Sequence, residues 1–165
     1  LKEMMTPEGA NRIYIASESE AFVNDVVRNL NLLLLENLEV VLYAPSKIRS
    51  FETIEVEHFH KTSMRVSLAY YINYEDQAVK DFLMKYRALY NTEPSQFAFQ
   101  GYDVAYHFIS LCDKYGKDWT NHIEDCEKDM LQSTFKFTKL GTGGHLNTGL
   151  RRIVYGPKWT ITQVK

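Results

Sequence analysis

Asn11-Arg12-Ile13-Tyr14-Ile15-Ala16-Ser17-Glu18-Ser19-Glu20 is the stretch on which the fold turns. Asn11 to Ala16 is rich in β-branched and aromatic side chains, which predicts a short buried strand. Ser17 to Glu20 has the composition of a helix start, with serine as cap and acids in the first turn, where the helix dipole is positive. Phe22, Val23, Val26, Val27 and Leu30 then recur at helical spacing. The order is therefore strand, short polar loop, helix.

Working outward, the same order repeats. Leu38 to Ala44 reads as a second strand, broken by Pro45 and Ser46, and Phe51 to His60 as a short helix or turn. Met64 to Ile72 reads as a third strand. Glu75 and Asp76 then cap a helix that carries Val79, Phe82, Leu83, Tyr86 and Tyr90 on one face. Strands alternating with helices predict a parallel α/β sheet with right-handed crossovers. After a break at Asn91 to Pro94, a helix is expected from about Gln96 to Tyr115. Its inward face is read as Val104, Ala105, Phe108, Ile109 and Cys112, and Gly116 is its C-cap. A further short helix is expected over Trp119 to Leu131.

Beyond Leu131 the period changes. Ser133 to Thr138, Leu150 to Tyr155 and Trp159 to Val164 alternate, with turns at Gly141-Thr142-Gly143-Gly144 and Gly156-Pro157. Two or three antiparallel strands follow from this pattern. The expected fold is an α/β, flavodoxin-like three-layer parallel-sheet lobe with a C-terminal β-hairpin, and residues 1–165 form one domain.

Composition narrows the function. With 45% hydrophobic residues the chain has ample core material, and its net charge of -2 gives no basic face for nucleic acid. No run of about 18 apolar residues is present to span a membrane. The chain opens at Leu1 without a targeting pattern, so it is expected to be a fragment with any export signal upstream. Cys112 and Cys126 are expected to be free thiols, Cys112 on the apolar side of its helix.

In an open parallel sheet, ligands bind beyond the carboxyl ends of the strands. The candidate ligand-binding positions are therefore Ser17 and Glu18, then Pro45, Ser46 and Lys47, then Tyr70, Tyr71 and Asn73. A helix N-terminus behind Ser19 would favour an anionic group; ordinary capping by Ser17 and Ser19 competes with that role. Gly141 to His145 lacks the Gly-Lys-Ser/Thr ending of a phosphate loop and reads as a hairpin turn. His58 and His60 have no partner at metal-ligand spacing. Glu75, Asp76 and Asp81 are explained by capping and a solvated face. No nucleophile motif occurs, so no catalytic residue, metal or cofactor is expected. Arg151 and Arg152 are adjacent on a strand and point to opposite faces. Either could hold a carboxylate; a surface salt bridge is the expected role.

Three segments in order carry a resemblance. They are Phe82-Leu83-Met84-Lys85-Tyr86-Arg87-Ala88-Leu89-Tyr90, then Glu93-Pro94-Ser95, then Gly101-Tyr102-Asp103-Val104-Ala105-Tyr106. Together with the closing Gly-turn hairpin they resemble the C-terminal part of type I periplasmic binding proteins, the branched-chain amino acid receptor group. Asn147 to Tyr155 resembles a branch that carries upstream lysin-motif, peptidoglycan-binding regions. The resemblance implies a non-catalytic, extracytoplasmic solute-binding domain that works by lobe closure, in the periplasm or cell envelope. The implied ligand is an amino acid, peptide or cell-wall fragment, held at places matching Ser17 to Glu18 and Pro45 to Lys47. An envelope scaffold without a ligand is the alternative. The family's first lobe is absent, so the helices from Asp76 to Tyr115 are expected to meet that lobe or a second copy of the chain. Ser46 and Lys47 stand where the family often places an acid for an amino-acid ammonium.

Overall fold

The computed structural model describes residues 2–164 and arranges them as two compact units. One runs to Leu68 and resumes at Arg152; the other is Ala69–Arg151. The first unit opens with β1 (Asn11–Tyr14), α1 (Glu20–Leu34), β2 (Val40–Ala44), α2 (Val56–Lys61) and β3 (Arg65–Leu68). α1 sinks Val23, Val27, Leu30 and Leu33, a stripe that recurs about every turn. Asn37, with φ of 62°, follows the helix in the left-handed region and turns the chain toward β2.

β1 pairs in parallel with β2, and β2 with β3. The sheet is completed by β8 (Arg151–Tyr155) and β9 (Ile161–Val164), in the order β1-β2-β3-β8-β9. β8 and β9 form an antiparallel hairpin closed at Gly156, whose N–H donates to the Thr160 carbonyl at 2.8 Å. The architecture is thus mixed α/β with a mostly parallel central sheet, as the repeated strand–helix order predicts. The closing hairpin joins that sheet.

The two faces of the sheet differ. Leu42, Ala44, Val66, Leu68, Ile153 and Tyr155 are buried on the inner face. Phe59 of α2 packs edge-on against Tyr155, with ring centroids 5.5 Å apart. Arg12, Tyr14, Arg65, Ser67 and Arg152, on the outer face, are exposed. Alternation along the strands produces this division, except in β2, where the outward Val41 is buried and Tyr43 half-buried.

The second unit contains α3 (Gln77–Tyr90), α4 (Gln96–Tyr115), and the short strands β4 (Lys128–Asp129), β5 (Thr134–Phe135), β6 (Phe137–Lys139) and β7 (His145–Asn147). Asp76 caps α3, its carboxylate accepting from the Ala78 N–H at 2.8 Å. Asn91, at φ of 50°, ends the helix. Arg87 then grips Glu93 with two hydrogen bonds of 2.8 and 2.9 Å across the break before α4. Val79, Phe99 and Leu131 form a buried cluster, with Phe82 and Leu83 packed against it. β6 and β7 make the expected Gly-turn hairpin.

Four sequence expectations are corrected here. The third strand is Arg65–Leu68 rather than Met64 to Ile72; beyond it only Tyr70 forms an isolated bridge, to Ser133. Trp119 to Leu131 is two short 3-10 turns, Gly116–Asn121 and Ile123–Asp125, followed by β4. α4 buries Phe99, Asp103, His107 and Leu111, while Val104, Ala105, Ile109 and Cys112 are exposed. The helix is rotated from its apolar phase because Asp103 satisfies three backbone donors inside the unit. Cys112 and Cys126 are free thiols, but Cys112 lies in solvent.

Candidate ligand site

β1 and β2 end side by side because they are parallel neighbours in register, Tyr14 opposite Tyr43. The loops that leave them therefore emerge at the same edge of the sheet. Here Lys47 Nζ meets Glu18 Oε2 at 2.9 Å. The structure thus brings together two positions that the sequence offers separately. Both side chains are more than half exposed, so the pair is open to exchange with a ligand or water. Ser17 Oγ accepts a hydrogen bond from the Ser19 N–H at 3.2 Å, which folds the loop back before α1. Ser46 begins the 3-10 turn Ser46–Ser50 and is exposed.

The start of α1 is filled from within the chain. Ser19 is the N-cap residue but makes no side-chain capping bond. Glu20 Oε1 accepts from the Thr53 N–H at 2.9 Å and from its hydroxyl at 2.8 Å. These bonds hold the Glu20 carboxyl below its ordinary pKa. The charge expected of a bound anion at this helix terminus is supplied by Glu20.

Tyr70 and Tyr71 lie in the second unit. Tyr70 is exposed and bridges Ser133, and the Tyr71 N–H donates to the Gln132 carbonyl at 2.8 Å. Both are therefore anchored to the segment that passes from Met130 to Ser133.

That segment is tied down by groups the sequence reading did not assign. Asp103, fully buried, accepts from the Leu131 N–H at 2.9 Å, the Gln132 N–H at 2.9 Å and the Ser133 N–H at 3.0 Å. Arg151 donates from Nη2 to the carbonyls of Met130 and Ser133 at 2.6 and 2.7 Å. The alternation of Arg151 and Arg152 is as expected, one buried and one exposed. A surface salt bridge for Arg151 is overturned: its guanidinium is buried on backbone carbonyls. Burial pushes its pKa down from the usual value, against the opposing charges of Asp129, Asp103 and Asp76. Asn147, Thr148 and Gly149 serve the same unit. Asn147 Oδ1 accepts from the Lys136 and Gly149 N–H groups, and a Cβ at Gly149 would collide with the Thr134 carbonyl.

The histidines divide similarly. His60 Nδ1 donates to the Gly156 carbonyl at 2.7 Å and packs against Tyr155 and Trp159. His107 is buried and stacks on Phe135 with centroids 4.5 Å apart. Burial, and secondarily the charge of Lys128, lower the His107 pKa from its ordinary value. Among the described residues no group of three or more His, Cys, Asp or Glu is placed to hold a metal ion. No helix among them is long and apolar enough to cross a membrane.

Two open grooves mark the first unit. One, of about 850 Å³, follows α1 and α2 and is lined by Arg28, Asn31, Leu32, Leu35 and His58. The other, of about 370 Å³, lies on the outer sheet face between Tyr14, Tyr43, Pro45, Arg65 and Arg152. Neither includes Ser17, Glu18, Ser46 or Lys47.

Sheet order and paired loops at strand ends define the class: the fold is that of part of a type I periplasmic binding protein. A crystal structure from Rhodospirillum rubrum, described as a branched-chain amino acid ABC transporter, superposes with a TM-score of 0.57 at 18% identity, over 93% of this chain and 44% of that one. An ABC transporter substrate-binding protein from Desulfitobacterium hafniense, in complex with Leu, gives 0.52 at 14% identity, over 93% and 43%. A second structure so described from the same organism gives 0.52 at 15%, with the same coverage. The chain thus spans less than half the length of the solved structures it matches. No family model matches the sequence. No curated protein matches it either.

Proposed function

We propose that this chain is part of a non-catalytic, extracytoplasmic solute-binding protein, its remaining lobe supplied by polypeptide outside these residues. The observation that carries the reading is the Glu18–Lys47 pair at the carboxyl edge of two parallel strands, where this class of sheet presents its ligands. An amphoteric small molecule, such as an amino acid or short peptide, fits such a pair. Its ammonium would take Glu18 and its carboxylate Lys47, with Ser17 and Ser46 offering hydroxyls beside them. Tyr70 and Tyr71, in the second unit, are proposed ligand contacts on their own account, from their place after the third strand. The ligand acts by preferring the closed arrangement of two lobes, since only a difference in affinity shifts such an equilibrium. The periplasm or cell envelope is the compartment that goes with this reading.

Thermal-shift screening of the protein as its cells make it tests the proposal, with amino acids, short peptides and cell-wall fragments as probes. A hit at 100 times its dissociation constant adds about 2.7 kcal/mol of stability. The affinity of that hit should fall at least tenfold in both Glu18→Gln and Lys47→Met. A folded protein that responds to none of the probes sinks the receptor reading.

One observation favours a second reading, an envelope scaffold accompanied by an upstream lysin-motif region. Glu18 and Lys47 already satisfy each other, and Pro45, Ser46 and Lys47, rather than an acid, stand directly after β2. Retention on purified peptidoglycan, without any stabilising small molecule, would select it. On either reading, the exposed Tyr102, Tyr106 and Ile109 of α4 meet the first lobe or a second copy of the chain.

A further inference from the structure

We infer that the groove between α1 and α2 is a binding site for a short apolar peptide, held by its charged ends and by its side chains. The inference goes beyond the proposed function, because Glu18 and Lys47 lie outside the groove and its occupation does not depend on them.

The groove is written into α1 as a second stripe. Val23, Val27, Leu30 and Leu33 are sunk in the core, whereas Arg28, Asn31, Leu32 and Leu35 recur at i, i+3, i+4 and i+7 along another face and line the groove. Leu32 and Leu35 are 61% and 80% exposed, an apolar wall that nothing among the described residues covers. Glu55, on the same groove, is the N-cap residue of α2, yet its carboxylate makes no capping bond. Among the described residues, neither Arg28 nor Glu55 forms an ion pair, with the other or with a neighbour. Lys61, also on the groove, is held by Glu57 at 2.7 Å. One unpaired cation and one unpaired carboxylate thus share a groove with exposed leucines.

Two lining residues carry a further signal. Asn31 Oδ1 and His58 Nδ1 are buried without a hydrogen-bond partner. Buried polar atoms of folded proteins are nearly always paired, so two orphans from different helices on one groove point to a ligand with polar groups of its own. Because both atoms are closed to solvent, binding carries a rotation of one of these side chains.

Size and charge select the class. The groove measures about 850 Å³, within the range of ligand clefts. Its α1 wall runs from Asn24 to Leu35, which at about 1.5 Å per residue is about 16 Å, the length of about five extended residues. A single amino acid fills only part of that length. A simple anion is opposed by Glu55, and a simple cation by Arg28. A peptide brings a carboxylate for Arg28, an ammonium for Glu55, amide groups for Asn31 and His58, and apolar side chains for the leucines.

The test uses the protein as its cells make it, carrying Glu18→Gln and Lys47→Met throughout so that the strand-edge pair contributes nothing. Isothermal titration with the tetrapeptide Ala-Leu-Ala-Leu should show binding at least tenfold tighter than with leucine. Arg28→Met, Glu55→Gln and Leu35→Ser should each weaken the tetrapeptide at least tenfold, with the far-ultraviolet circular dichroism unchanged. Blocked peptides supply a readout that a folding defect would not imitate. The C-terminal amide should bind at least tenfold more weakly and be indifferent to Arg28→Met; the N-acetyl form should behave likewise toward Glu55→Gln. No binding of the tetrapeptide, leucine binding equally well, blocked peptides as tight as the free one, or affinity unchanged by the groove substitutions would each overturn the inference. Leucine binding that needs Glu18 and Lys47, beside a groove that takes no peptide, leaves the solute-binding reading standing and removes only this one. A peptide-binding groove in a protein that takes no probe through Glu18 and Lys47 does the reverse.

Discussion

In the second unit, Asp103 takes the N–H groups of Leu131, Gln132 and Ser133, while Arg151 and Tyr71 take the carbonyls of Met130, Gln132 and Ser133, all from within the unit. In the first unit, the central sheet seals one face with apolar side chains and leaves three arginines of the other in water. In the second unit, Asp103 and Arg151 are thus consumed by the unit's own backbone. The first has charges to spare. A buried carboxylate is tolerated when its oxygens are well supplied with hydrogen-bond donors, and Asp103 has one on Oδ1 and two on Oδ2. The difference separates charges that hold a fold together from charges available to a partner.

The sharpest way to break this comparison is at Asp103. Asp103→Ala leaves three N–H groups without acceptors and removes one of the acidic charges that face Arg151, and should cost about 4 kcal/mol in urea unfolding. Asp103→Asn keeps the shape and part of the bonding and should cost less. If Asp103→Ala is tolerated within about 1 kcal/mol, the carboxylate is not the anchor described here.

Next in size is a contrast across the sheet of the first unit. Leu42→Ala, on the sealed face, should cost about 3 kcal/mol by transfer and cavity formation. Tyr14→Ala, on the open face, should fall within about 0.5 kcal/mol. Equal losses at the two positions would show that the outer face is packed by something within these residues.

A smaller effect is expected from pH. The folded pKa of His107 is depressed by burial, so between that value and the ordinary 6.5 the unfolded chain binds a proton that the folded chain does not. Stability contributed by neutral His107 is therefore present above about pH 6.5 and declines as pH falls below it. Melting temperatures from pH 7.5 to 5 should drop less steeply in His107→Phe than in the parent. Identical slopes would show that the ring titrates freely.

The smallest effect belongs to the Glu18–Lys47 pair. Exposed ion pairs contribute little, so Lys47→Met should change unfolding free energy by less than about 1 kcal/mol. A loss well above that value would mean that the pair is structural and would weaken its proposed role with a ligand.

Much of the fold was legible in the sequence. β1, α1 and β2 fall within a few residues of where composition and spacing place them, and the Gly141 and Gly156 turns close hairpins as read. The face of α4 was not legible. Reading apolar residues as inward chose Val104, Ala105, Ile109 and Cys112, whereas the structure turns Asp103 and His107 inward. A hydrophobic pattern has no means of representing a carboxylate whose partners are backbone donors. Arg151 was misjudged for the same reason. Of the candidate ligand positions, Ser17, Glu18, Ser46 and Lys47 were named from strand ends alone; that Glu18 and Lys47 would touch was not.

By itself the sequence determined the alternation of strands and helices, the turns, the capping of α3 by Asp76 and the opposite orientations of Arg151 and Arg152. Each depends on residues a few positions apart, through helical spacing, strand alternation or a turn geometry. Only the tertiary structure decided that Glu18 meets Lys47 across 29 positions, that Asp103 binds residues 28 to 30 positions away, and that the last hairpin enters the central sheet. Those outcomes turn on which groups find partners when distant segments meet, and local periodicity carries no record of that meeting.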